Sequence, residues 1–167
     1  MDDAAARDER FMRQALELAR EAAAEGEVPV GAVVVKGDEV VSCGRNRREI
    51  GRNALCHAEL EAIDGACRAL GGWRLWECEL FVTLEPCPMC AGAVINARIP
   101  RIVFGASDPK AGSCGSVVNL FELPYNHRPE VVSGVLQEEC AALLTDFFHH
   151  LRNKKRPAPG NAGGRTP

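Results

Sequence analysis

Two short segments gather side chains suited to metal chemistry: Cys56-His57-Ala58-Glu59-Leu60 and Pro86-Cys87-Pro88-Met89-Cys90. Cys87 and Cys90 are three apart, which puts both on one face of a helix. Pro88 suits the first helical position and leaves Cys87 at the cap. The positive end of such a helix lowers thiol pKa values and favours thiolates. Two thiolates and one imidazole are the donors expected of Zn²⁺ with an open fourth position. The chain has four histidines. His149 and His150 fall near the end of the last expected helix and His127 in a long loop, so only His57 opens a helix after a loop. In that first turn, with His57 half outside the helix, His57 and Glu59 can both point at one ion. A closed structural site needs a fourth protein ligand and no free carboxylate; here Glu59 stands beside a metal-activated water and can move protons. Each signal alone is weak. Cys-x-x-Cys is shared with redox and structural zinc motifs, and an acid in a first helical turn ordinarily answers the helix dipole. The combination specifies a hydrolytic metal site. Cys67 and Cys140 read as small core hydrophobes, and neither Cys56 nor Cys114 is expected to bind the metal.

The elements that must position these groups follow from apolar periodicity. Residues 8–25 read as a helix stopped by Gly26. Val28–Val35 and Val40–Cys43 read as a hairpin around Lys36-Gly37-Asp38-Glu39. Residues 57–70 read as a helix with Leu60, Ile63, Cys67 and Leu70 on its inner face. A strand over Leu80–Leu84, a helix over 87–98 and a strand over Ile102–Phe104 come next. Residues 107–129 read as a long loop with one helical turn. A strand over Glu130–Leu136 and a helix over 137–153 close the domain, the latter with Cys140, Leu143, Leu144, Phe147 and Leu151 inward. This order predicts a three-layer α/β/α sandwich around a central mixed five-stranded sheet, with the corners before residues 57 and 87 facing a shared site. The domain is expected over 1–153, with a basic, disordered tail over 154–167.

The 167 residues suit one domain, and 46% hydrophobic with 26% charged residues excludes disorder for the bulk of the chain. No apolar run reaches membrane-spanning length, and the acidic N-terminus is no signal peptide. A cytoplasmic location is expected, where eight cysteines serve as thiols or ligands rather than disulfides. The net charge is −3, but residues 1–151 are acidic on balance and the segment from Arg152 onward is basic with no acid. A polyanionic partner therefore needs local basic patches. Two exist: the tail, and Arg45, Arg47, Arg48 and Arg52.

The paired H-x-E and P-C-x-x-C segments form the known signature of zinc nucleobase deaminases. The sequence resembles the cytidine deaminase-like superfamily and, more narrowly, the bacterial TadA-type tRNA adenosine deaminases. The resemblance runs from about Phe11 to Arg152. It is carried by Glu27–Val33, Gly44-Arg45-Asn46-Arg47, His57-Ala58-Glu59, Val82–Ala93, Val103–Ala106 with Asp108, Asn126-His127-Arg128, and Glu139–Leu144 with Asp146-Phe147-Phe148. It implies a homodimer with one zinc per subunit that converts adenosine to inosine at the wobble position (position 34) of a tRNA anticodon. Carried over by position, His57, Cys87 and Cys90 bind zinc and Glu59 shuttles protons. Asn46 and Ala58 meet the base, while Asp108, Asn126, His127, Arg128, Phe147 and Phe148 contact the anticodon stem-loop. Two departures stand out: Gly51–Cys56 lacks the Asp-Pro-Thr-like lead-in of relatives, and His149-His150 follows Phe148 where relatives carry more fixed positive charge.

Two rivals share the motif. A deaminase of a free base or nucleoside, such as guanine or cytosine, would use the same metal and glutamate but has no need of Phe147-Phe148 and a basic tail. A non-catalytic zinc module binding RNA or protein would gain nothing from an unligated carboxylate at the metal.

Overall fold

The structure, a computed structural model, describes residues 2–156. A five-stranded sheet runs in the order β2-β1-β3-β4-β5, formed by β1 (Gly31–Lys36), β2 (Glu39–Arg45), β3 (Cys78–Leu84), β4 (Arg101–Ala106) and β5 (Glu130–Ser133). β1 pairs antiparallel with β2 and β3, whereas β3, β4 and β5 are parallel. The mixed sheet and its layers are those expected. Both faces are covered, so the inner strands read as near-continuous apolar runs. Val33, Val35, Phe81 and Val103 point to α1 (Asp3–Ala24) and α4 (Gln137–Lys155). Their neighbours along the strands, Val34, Leu80, Val82, Ile102 and Phe104, point to α2 (Ala58–Leu70) and α3 (Pro88–Asn96).

Several boundaries and faces differ from the sequence reading. α1 begins at Asp3, because Asp2 caps it through a hydrogen bond from the Ala4 amide. β5 ends at Ser133 rather than Leu136, since Gly134 and Leu136 take positive φ and turn the chain into α4. α2 buries Ala58, Glu59, Ala62, Ile63 and Ala66, while Leu70 is 42% exposed. The reason lies in β2. A Cβ on Gly44 would stand 2.3 Å from the Ala58 carbonyl oxygen, so the helix backbone rests directly on the strand and only small side chains fit between. On α4 only Cys140 is fully buried; Leu143, Leu144 and Phe147 are half-buried and Leu151 is exposed. The basic tail was expected from residue 154. α4 continues through Lys155, and 157–167 lie outside the described residues.

Candidate metal centre and active site

α2 and α3 both start at the edge of the sheet where β3 ends. His57 is the N-cap residue of α2 and Cys87 that of α3, and neither helix has a conventional side-chain cap. The ligating groups thus take the positions where unpaired N–H groups concentrate positive potential. His57 Nδ1 lies 3.6 Å from Cys87 Sγ and 3.6 Å from Cys90 Sγ, and one donor atom from each of the three residues falls within 4.8 Å of the others. A tetrahedral ion with bonds of about 2.3 Å to sulfur and about 2.0 Å to nitrogen requires about 3.5 Å between such atoms. The donor set and its spacing therefore fit zinc. Among the described residues no other cluster of His, Cys, Asp or Glu meets the same criterion.

The protonation of the trio agrees with this role. Hydrogen bonds from Cys90 and His57 pull the Cys87 thiol down to about 4, and the adjacent Cys87 sulfur holds the imidazole above its ordinary value. Beside that thiolate, Cys90 keeps its proton. A divalent cation would release it. Glu59 is buried, and burial pushes its carboxyl up to about 7. A buried carboxyl beside the trio is placed to take and give a proton.

His57, Cys87 and Glu59 open onto a cleft of about 420 Å³, with Cys90 buried behind them, within the size range of small-molecule sites. Val28, Val30, Asn46 and Ala58 line one side, and Leu84, Glu85 and Ser107–Ala111 the other. Asn46 is fixed: its Nδ2 donates to the Val28 carbonyl and its Oδ1 accepts from the Arg48 amide. Asp108 lines the cleft while its Oδ1 accepts from the amides of Lys110 and Ala111. Phe148, 41% exposed, reaches the rim from α4. Phe147 packs edge-on against Phe148 at 5.5 Å and is not among the lining residues.

The structure does not bring Asn126, His127 and Arg128 to this cleft. They precede β5, whose first residue pairs with the start of β4, whereas the cleft lies beyond the opposite ends of β3 and β4. There His127 Nε2 bonds the Ile99 carbonyl oxygen at 2.7 Å, and its ring meets Trp76 edge-on. The arginine patch is also divided. Arg45 is paired with Glu21 and Glu25, and Arg47 with Glu61. Among the described residues Arg48 and Arg52 form no ion pair, and Arg48 lines the cleft.

Two residues without an assigned role in the sequence reading shape the walls. Glu27, buried, accepts hydrogen bonds from the amides of Glu49 and Ile50. Glu85, also buried, accepts from the amides of Asp108, Cys114 and Ser116. Both lie inside stretches that carry the family resemblance, but by residue type each reads only as an acid abutting an apolar run.

A mixed sheet carrying a His-Cys-Cys trio and a buried glutamate between two helix N-termini defines the cytidine deaminase-like class of nucleobase deaminases. A family model of MafB19-like deaminases matches residues 6–152, and the chain belongs to that family. It is 51% identical over 155 residues to a tRNA-specific adenosine deaminase of Bacillus subtilis, covering 92% of this chain and 96% of that protein. A solved structure from work on A-to-I editing by tRNA:A34 deaminases at the wobble position is 45% identical, with a TM-score of 0.79, covering 81% of this chain and 99% of that one. The guanine deaminase of Nitrosomonas europaea is 28% identical, with a TM-score of 0.68 and 83% of each chain covered.

Proposed function

We propose that this protein is a tRNA-specific adenosine deaminase that converts adenosine to inosine at the wobble position, position 34, of a tRNA anticodon. The observation that carries the reading is a joint one. A chain 51% identical to a tRNA-specific adenosine deaminase across nearly its whole length holds His57, Cys87 and Cys90 at ligand spacing beside buried Glu59.

His57, Cys87 and Cys90 would hold one zinc ion. When bound, zinc supplies the Lewis acidity that makes water a nucleophile near neutral pH. The chain's own residues do the rest. The cleft admits one nucleotide, so the anticodon loop must present its target base unstacked. Asn46, locked by Val28 and the Arg48 amide, orients that base. Ala58 belongs to the uncapped first turn of α2, and we assign its N–H to the base as a donor. Glu59 takes a proton from the water attacking C6, delivers it to N1 of adenine, and passes a second proton to the departing amine. Water and adenosine become inosine and ammonia. Asp108, Arg48 and Phe148 meet the flanking nucleotides. Asn126, His127, Arg128 and Phe147 reach RNA only beyond the rim of this chain's own cleft. A homodimer is supported by the exposed apolar side chains of Ile50, Leu55, Val117 and Val118. No described helix is long and apolar enough to cross a membrane, and a cytoplasmic site of action accords with a tRNA substrate.

The test is a pair of substrates run in parallel with zinc-loaded protein: an anticodon stem-loop with adenosine at the wobble position, and a mixture of free bases and nucleosides. Inosine in the stem-loop with the free compounds unchanged is expected. Ammonia from a free base with intact RNA would instead establish an activity of the guanine deaminase kind.

A further inference from the structure

Glu85 sits at the junction of two parts of the site. It follows β3 directly and precedes Pro86-Cys87, so its backbone is tied to the metal-binding corner; its amide donates to the Ala106 carbonyl at the end of β4. Its side chain turns the other way. Oε1 accepts from the Asp108 amide at 3.3 Å and from the Ser116 hydroxyl. Oε2 accepts from the amides of Cys114 and Ser116, both at 3.1 Å. The carboxylate is buried and, among the described residues, forms no ion pair with an arginine or lysine. Four donors from one loop converge on it, and that loop, residues 107–119, supplies Ser107–Ala111 to the cleft wall. Gly112 completes the fit, because a Cβ there would lie 2.2 Å from Glu85 Oε2. The Ser113 amide also bonds the Pro86 carbonyl.

We propose that Glu85, whose backbone edge lines the cleft, is a positioning residue: its carboxylate, spent on loop donors rather than on substrate or metal, fixes the substrate-facing loop 107–119 against the metal corner and so sets RNA affinity. This rests on the tRNA deaminase reading only for its kinetic arm. The loop has no helix or strand to hold it apart from one isolated bridge, Cys114 to Asn119, and buried amides left without an acceptor are costly. The loop's internal hydrogen bonds hold its turns, and this carboxylate ties those turns to the metal corner.

Glu85→Gln separates the two halves of the anchor. The amide oxygen placed at the Oε2 position still accepts from Cys114 and Ser116, and the new NH₂ can donate to the Ser116 hydroxyl. Only the Asp108 amide then faces a donor. In the zinc-loaded variant, hydrogen exchange should quicken across residues 107–112 and stay as in the wild type across 113–119. Zinc content should be unchanged. KM for the anticodon stem-loop should rise about tenfold, with kcat falling less than about threefold, the pattern of lost substrate binding. Ser116→Ala, which removes one hydroxyl donor, should leave exchange across 107–112 as in the wild type. Unchanged exchange at 107–112 in Glu85→Gln would overturn the assignment, as would loss of zinc or a fall in kcat at constant KM. If the wild type fails to deaminate the stem-loop, the substrate reading falls, while the exchange experiment still decides the role of Glu85.

Discussion

The Arg45 guanidinium closes on the Glu25 carboxylate through Nε at 3.1 Å and Nη2 at 2.8 Å. An arginine so occupied has little charge to offer RNA. Arg48, without such a partner at the cleft, has its full charge available. Arg48→Ala should lower the slope of log K against log salt for stem-loop binding by about 0.7–0.9. Arg45→Ala should leave the slope unchanged. Titrating a labelled stem-loop at several salt concentrations compares them directly; equal slopes for both variants would restore the undivided four-arginine patch.

The proposed roles of Glu59 and of the metal ligands can be separated. Glu59→Ala should keep zinc at one per chain and lower turnover by about 10²–10⁴ or more, read from metal content and ammonia release on the same sample. In metal-free protein, burial holds its carboxyl at about 7, against an ordinary 4.5. The folded state therefore binds the proton more tightly than the unfolded one, and stability falls as pH rises between about 4.5 and 7. Glu59→Gln should remove this falling contribution, so that across that window the melting temperature of the metal-free variant falls less, or rises more, with pH than that of the wild type.

Gly44 links packing to the metal. Gly44→Ala forces a Cβ to within 2.3 Å of the Ala58 carbonyl and displaces the first turn of α2. A loss of about 1–3 kcal/mol is expected, together with weaker zinc retention against a chelator, because His57 and Glu59 move with that turn. A stability loss with unaltered zinc retention would show that the turn adjusts independently of the metal ligands.

The remaining thiols should differ sharply in reactivity. Cys43 is exposed. Burial pushes the Cys114 thiol up to about 12 and that of Cys140 to about 11, and thiols so raised are poor nucleophiles near neutral pH. Brief maleimide labelling of the zinc-loaded protein should modify Cys43 and spare Cys114 and Cys140; mass spectrometry of the digest identifies the sites.

What the sequence revealed depended on how far apart the cooperating groups lie. That His57, Cys87 and Cys90 meet at ligand spacing was legible because a metal site restricts residue types at local spacings, and the sheet because β3 and β4 are short apolar runs. The inner face of α2 was misread because it is set by Gly44, a residue on another element whose missing side chain leaves no periodic mark. The loops 45–56 and 107–119 were opaque for a related reason. Their placement on the scaffold depends on hydrogen bonds to Glu27 and Glu85, single acids distant in sequence from the amides they hold. Asn126-His127-Arg128 illustrates the converse limit: a matching motif carries no information about which end of the sheet it occupies.

Glu27 and Glu85 grip their loops from beneath, chiefly by main-chain amides, so the hold does not depend on most of the side chains at the loop tips. A scaffold tethered in this way can change its clientele by rewriting the visible tips of two loops while the hidden acids and the metal corner stay as they are.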